Sequence, residues 1–81
     1  MIVLDLHGLT KDEALKLIQR TVMDPKNKKE KYIEVIHGFN SGDELKQLCS
    51  HARYLRCKRI EKTTLKLHNP GASVLWLKDV K

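Results

Sequence analysis

The alternation of apolar and polar positions divides the chain into six regular segments. Ile2-Val3-Leu4-Asp5-Leu6 is short and mostly apolar, as in a buried strand. His7-Gly8-Leu9 leads out of it. Thr10 then stands as a helix N-cap with Glu13 three residues on, the pattern of a capping box. Ala14, Leu15, Ile18 and Val22 follow at helical spacing. Pro25 disfavours helix at Asp24, so this helix is predicted to end near Met23. Lys26, Asn27, Lys28, Lys29 and Lys31 form a polar, basic connection to a second strand, Tyr32-Ile33-Glu34-Val35-Ile36.

His37-Gly38-Phe39-Asn40-Ser41-Gly42 interrupts the pattern as a loop feeding a second helix, with Ser41 or Asp43 as its cap. Leu45, Leu48, Ala52 and Leu55 fall at i, i+3, i+7 and i+10, which defines one buried face. Arg59-Ile60-Glu61, extended by Thr64 to His68 in alternation, predicts a third strand. Asn69-Pro70-Gly71 is a turn signal, and Ser73 to Leu77 is the last strand. The order β-α-β-α-β-β predicts an α/β two-layer sandwich with a mixed four-stranded sheet. Its early strands run parallel across helical crossovers, and its last strand pairs antiparallel.

Length and composition narrow the class. Eighty-one residues allow one domain, taken as 1–81, with a modest core. Apolar residues make up 41% and charged residues 32%, as in a globular domain in water. No apolar run approaches the roughly 20 residues that cross a bilayer, which leaves no membrane partner. The first residues meet an acid at once and lack a basic n-region, so no signal peptide is expected. Two cysteines permit at most one disulfide. Cys49 and Cys57 read as small structural residues of a cytoplasmic protein.

The formal charge of +6 is unevenly placed. Residues 1–25 carry three bases and four acids, net −1, whereas the other 56 carry thirteen bases and six acids, net +7. Lys28, Lys29, Arg53, Arg56, Lys58 and Arg59 are the candidate nucleic-acid surface, where long side chains reach a phosphate backbone. A solvated basic surface is the plain alternative.

Two strand ends carry candidate chemistry. Asp5 and His7 stand two apart, hence on one side of a strand, and can act together as acid and base or jointly hold a metal or a phosphate. Gly8 lets the backbone turn sharply there. Gly38, Phe39, Asn40, Ser41 and Gly42 form a second loop, whose backbone amides suit an anion. His37 adds a titratable donor, and Phe39 adds an aromatic face for a base. Parallel pairing of the first two strands would set both motifs on one rim and bring His7 and His37 together. The histidines have no recognised zinc-ligand spacing, so no metal ligands are assigned. Trp76 reads as a packing residue.

Three stretches in order resemble Smr domains, the small domains related to the C-terminal part of certain MutS-type proteins. They are Leu4-Asp5-Leu6-His7-Gly8-Leu9-Thr10 before the Ala14-Leu15 helix, then Val35-Ile36-His37-Gly38, then Asn69 to Leu77 with its Gly-Ala-Ser-Val core. The resemblance implies a fold like the C-terminal domain of bacterial translation initiation factor three. It also implies binding of DNA or RNA and, in several members, endonuclease activity. Asp5 and His7 match the acid and histidine of the first motif, and His37 and Gly38 match the start of the second. That second motif usually continues with a glycine two residues on, where this chain has Asn40.

On this reading His7 and His37 are the candidate acid and base, and Asp5 orients a histidine or binds a divalent metal such as Mg. The Gly38 and Asn40 backbone stabilises developing negative charge. The rival expectations are a DNA- or RNA-binding module without chemistry, and a domain that engages protein, such as the ribosome.

Overall fold

The computed structural model describes residues 2–38, 44–66 and 69–79. Phe39, Asn40, Ser41, Gly42 and the expected Asp43 cap therefore lie outside the described residues, as do Leu67 and His68. The elements run β1 (Ile2–Asp5), α1 (Lys11–Met23), a 3-10 turn (Pro25–Asn27), β2 (Tyr32–Ile36), α2 (Glu44–Leu48), a second 3-10 turn (Ala52–Leu55), β3 (Ile60–Lys66) and β4 (Asn69–Leu77). The strands form one mixed sheet in the order β1-β2-β4-β3. β1 and β2 are parallel, and β4 is antiparallel to both of its neighbours. The expected α/β architecture is thus observed.

Thr10 starts α1 as the sequence predicts. Its hydroxyl accepts from the Glu13 amide at 3.1 Å, and the Glu13 carboxylate accepts from the Thr10 amide at 2.9 Å. Both ends of the box satisfy amides that the first helical turn leaves without partners. Ala14, Ile18 and Val22 recur on one face and are buried. They pack in a core with Leu6, Ile33, Val35, Leu45, Leu48, Leu55 and Leu75. Complete burial of Ile18 contributes about 1.5–3 kcal/mol.

The second helix differs from expectation. The four apolar positions do turn inward, but α2 stops at Leu48 and the backbone is extended at His51 (φ −140°, ψ 136°). Ser50 closes the break: its hydroxyl donates to the Gln47 carbonyl at 2.6 Å. A serine bonding to nearby backbone competes with helix continuation. The expected turn at Asn69-Pro70-Gly71 is instead the start of β4. Pro70 is tolerated because pairing with β2 begins only at Ala72, so its missing N–H leaves no gap in that ladder.

Arg59 corrects the basic-surface expectation. It is 7% exposed. Its guanidinium donates to the carbonyls of Val22 (2.8 Å), Asn27 (2.8 Å), Lys28 (2.5 Å) and Glu30 (2.9 Å). These are carbonyls at and beyond the end of α1, where acceptors lack helical partners and the helix dipole favours a cation. Arg59 is therefore a fastener beneath the lysine-rich connection and not part of the surface. Lys28, Lys29, Arg53, Arg56 and Lys58 are exposed.

The sheet's other face is less covered. Tyr32 and Trp76 pair across strands with ring centroids 5.3 Å apart. The Trp76 indole N–H donates to Thr64 Oγ1 at 2.9 Å, which gives Trp76 its expected packing role. Cys49 is buried and Cys57 half-buried, both as free thiols. Burial pushes the Cys49 thiol up to about 12.

Candidate active-site rim

β1 and β2 end on the same rim, and each is followed by a histidine and a glycine. Both glycines take the left-handed backbone, Gly8 at φ 83° and Gly38 at φ 85°, a conformation glycine adopts without a Cβ penalty. The two histidines nevertheless part company. The β1–β2 register sets Asp5 opposite Ile36, and the Leu6 amide donates to the Ile36 carbonyl at 2.7 Å. The next step therefore sets Leu6 beside His37, and both are buried. His7 comes one residue later and turns out to solvent.

Asp5 and His7 form a close pair. His7 Nδ1 lies 2.6 Å from Asp5 Oδ1, and the His7 amide donates to the same oxygen at 3.2 Å. The side chains are 70% and 55% exposed for His7 and Asp5 respectively. The hydrogen bond to Asp5 raises the His7 pKa above its ordinary value, and the same bond lowers that of Asp5. With Nδ1–H committed to the carboxylate, Nε2 is the nitrogen presented outward. Proton donation and acceptance at the end of a strand is the chemistry this pair supports.

His37 is 1% exposed. Its Nε2 lies 3.0 Å from the hydroxyl of Ser73, itself a buried residue, and its Nδ1 lies 3.4 Å from the Gly38 carbonyl. Desolvation lowers its pKa, and the positive charge of Lys46 adds to that. Neutral His37 with Nδ1–H toward Gly38 accepts from the Ser73 hydroxyl. The amides of His37 and Gly38 both donate to the Gly71 carbonyl, at 2.9 and 3.0 Å. Of the two expected imidazoles, therefore, one is exposed and the other buried. Parallel pairing joins the motifs on a rim, with a one-residue offset between the two histidines in the strand register.

Ser73 was legible only as a strand residue. A hydroxyl two positions before Leu75, on the inward-facing side of a strand, is the signal that a buried polar partner awaits it. Among the described residues, no group of three or more His, Cys, Asp or Glu side chains could hold a metal ion. Mg takes one or two carboxylates with water and phosphate, and Asp5, the carboxylate of this pair, is already bonded to His7. No helix among the described residues is long and apolar enough to cross a membrane.

The fold and rim define a class: a small α/β domain with a mixed sheet, one side covered by helices, and an acid–imidazole pair at a strand end. The family model for the Smr domain matches residues 4–74, so the chain belongs to the Smr domain family, known for nucleic-acid binding and nuclease activity. The fold is similar to the crystal structure of the Smr domain of Thermus thermophilus MutS2, with a TM-score of 0.74 and 23% sequence identity. That likeness covers 96% of this chain and 99% of the other. No curated protein matches the sequence.

Proposed function

We propose that this domain binds DNA or RNA through its exposed basic side chains and cleaves a phosphodiester bond at the β1 rim. The observation that carries this reading is the 2.6 Å Asp5–His7 pair, solvent-open beside the Gly8 turn. Asp5 holds the ring and favours its protonated form. The imidazolium Nε2–H donates its proton to the leaving oxygen as the P–O bond breaks, a contribution of roughly 10²–10⁴-fold. The nucleophile is the adjacent 2′-hydroxyl in RNA, or water in DNA, and its proton passes to solvent as its oxygen bonds to phosphorus. The backbone amide of Gly8 offers a donor to the non-bridging oxygens as charge develops. His37 acts as a positioning residue, holding Gly38 and Ser73 beneath the rim.

Lys28, Lys29, Arg53, Arg56 and Lys58 supply phosphate contacts that set affinity rather than chemistry. A second reading, a binding module without cleavage, draws on the burial of His37, because the described rim then exposes one imidazole instead of two. A ribosomal or other protein partner is a third outcome, marked by binding that ignores salt, since phosphate contacts weaken steeply with it.

The deciding experiment incubates the protein with plasmid DNA and with structured RNA, with and without chelator. Cleavage of either substrate, lost in His7→Ala while most binding remains, is the expected result. Cleavage that survives His7→Ala removes His7 from the chemistry. Absence of any product at every metal concentration leaves the binding module.

A further inference from the structure

A cleft of about 680 Å³ opens between the start of α1 and the segment after β2. Its lining includes Lys11, Gln47, His51, Tyr54, Arg53 and Arg56. Three features point to what it takes. Tyr54 is 43% exposed, large for an aromatic ring with a cleft beside it. The Arg53 guanidinium lies 5.2 Å from the Tyr54 ring centroid, and the His51 ring meets Tyr54 edge-on at 5.3 Å. Such a cluster of aromatic and guanidinium groups suits the face of an unpaired base. Lys11, Arg53 and Arg56 outnumber the two carboxylates of the lining, Asp12 and Glu44, which suits a polyanion.

Arg56 is the third feature. It is the sole non-glycine residue of positive φ among the described residues (φ 49°). Gln19 Nε2 holds the turn by donating to the Leu55 carbonyl at 2.9 Å, with the Arg56 carbonyl at 3.4 Å. A left-handed backbone is unfavourable for an arginine and easy for glycine. Retaining the guanidinium at the cleft wall despite this strain fits a use for it there.

We infer that this cleft is a base-binding subsite for an unpaired nucleotide flanking the phosphate at the β1 rim. The inference deepens the nucleic-acid reading above and rests on it. Lys11 is four residues from His7, a span of about 14 Å at full stretch. A strand with one phosphate at His7 therefore reaches the cleft within a few nucleotides. The base stacks on the Tyr54–Arg53 platform, Gln47 offers hydrogen bonds to its edge, and Lys11 and Arg56 take the adjoining phosphates. A base held in a duplex cannot enter, so the site selects single strands, loops and junctions.

The test uses the full chain and an oligonucleotide carrying 2-aminopurine, whose emission falls when it stacks. Wild type lowers the emission of the single strand and leaves unchanged that of the same sequence in a duplex, where the probe is already stacked on its neighbours. Tyr54→Ala abolishes the quench and weakens single-strand binding about tenfold, with an unchanged circular dichroism spectrum. Tyr54→Phe keeps both properties.

Arg56→Gly separates binding from folding. Its Tm rises, because the strain is relieved, while single-strand affinity falls and the salt slope drops by about one. Quenching that persists in Tyr54→Ala, or duplex binding equal to single-strand binding, overturns the subsite. A wild-type protein that cuts nothing but shows Tyr54-dependent quenching defeats the cleavage reading and leaves the subsite standing. Cleavage without Tyr54 dependence does the reverse.

Discussion

The two strand ends of the rim have the same local recipe and opposite outcomes. Each carries a histidine just past a parallel strand and a glycine at positive φ immediately after it. His7 is 70% exposed and leans on a carboxylate, whereas His37 is 1% exposed and leans on a hydroxyl. A carboxylate partner in water favours the imidazolium. A hydroxyl partner in a desolvated pocket favours the neutral ring. One ring is thereby poised to give a proton, and the other is fixed as a buried acceptor. The same residue type stands exposed beside an acid in one place and is buried as architecture in the other, and the one-residue offset across the β1–β2 register accompanies the difference.

The comparison can be broken most forcefully by exchanging readouts. His7→Ala is expected to cut the cleavage rate by roughly 10²–10⁴-fold and to leave Tm within about a degree, because an exposed side chain carries little stability. His37→Ala is expected to cost about 2–3 kcal/mol of stability, since it leaves a cavity and an unpaired buried Ser73 hydroxyl. In a domain of this size that lowers Tm by roughly 10–20 °C in a thermal melt. A His37→Ala protein of wild-type Tm would end its architectural role.

A smaller effect tests the turn. A Cβ added at Gly8 meets nothing within 4 Å, so Gly8→Ala bears only the backbone penalty of positive φ. That is about 1–2 kcal/mol, measured by urea unfolding. A much larger loss would mean the rim is more tightly enclosed than its geometry allows.

The smallest effect is the sharpest in sign. His7 has a raised pKa, so its pairing with Asp5 stabilises fully below the unfolded value of about 6.5 and is lost as pH rises through the folded value. His37 has a lowered pKa, so the unfolded chain binds the extra proton. Stability from that residue falls as pH drops below about 6.5. Between pH 7.5 and 5.5, His37→Leu should therefore lose less stability on acidification than wild type. His7→Ala should lose slightly more. Matching slopes in the two variants would erase the distinction between the rings.

Local signals located much of the fold. Thr10 and Glu13 announce the start of α1 because a capping box acts within three residues. Pro25 places its end for a reason equally local. The burial of Leu45, Leu48 and Leu55 was also legible, although the helix through them was not. Ser50 bonds back to Gln47 and breaks the rod, while the apolar face continues across the break. The Asp5–His7 pair was legible because residues two apart in an extended chain share a side, although His7 itself lies in the turn after β1. Tyr54 and His51 carried no such signal; their neighbours Arg53 and Arg56 were read for charge alone.

The sequence by itself determined the start and end of α1, most strand positions and the acid–imidazole pair, since each depends on contacts within a few residues. Tertiary structure decided what lies far apart in the chain. Arg59 counts as a surface charge in any composition, yet it reaches back to carbonyls from Val22 to Glu30 and disappears beneath the loop they form. His37 looks like a twin of His7 until Ser73, 36 residues away, closes over its ring. Burial is a property of the assembled sheet, and it is burial that sets which charge is exposed and which histidine keeps its proton.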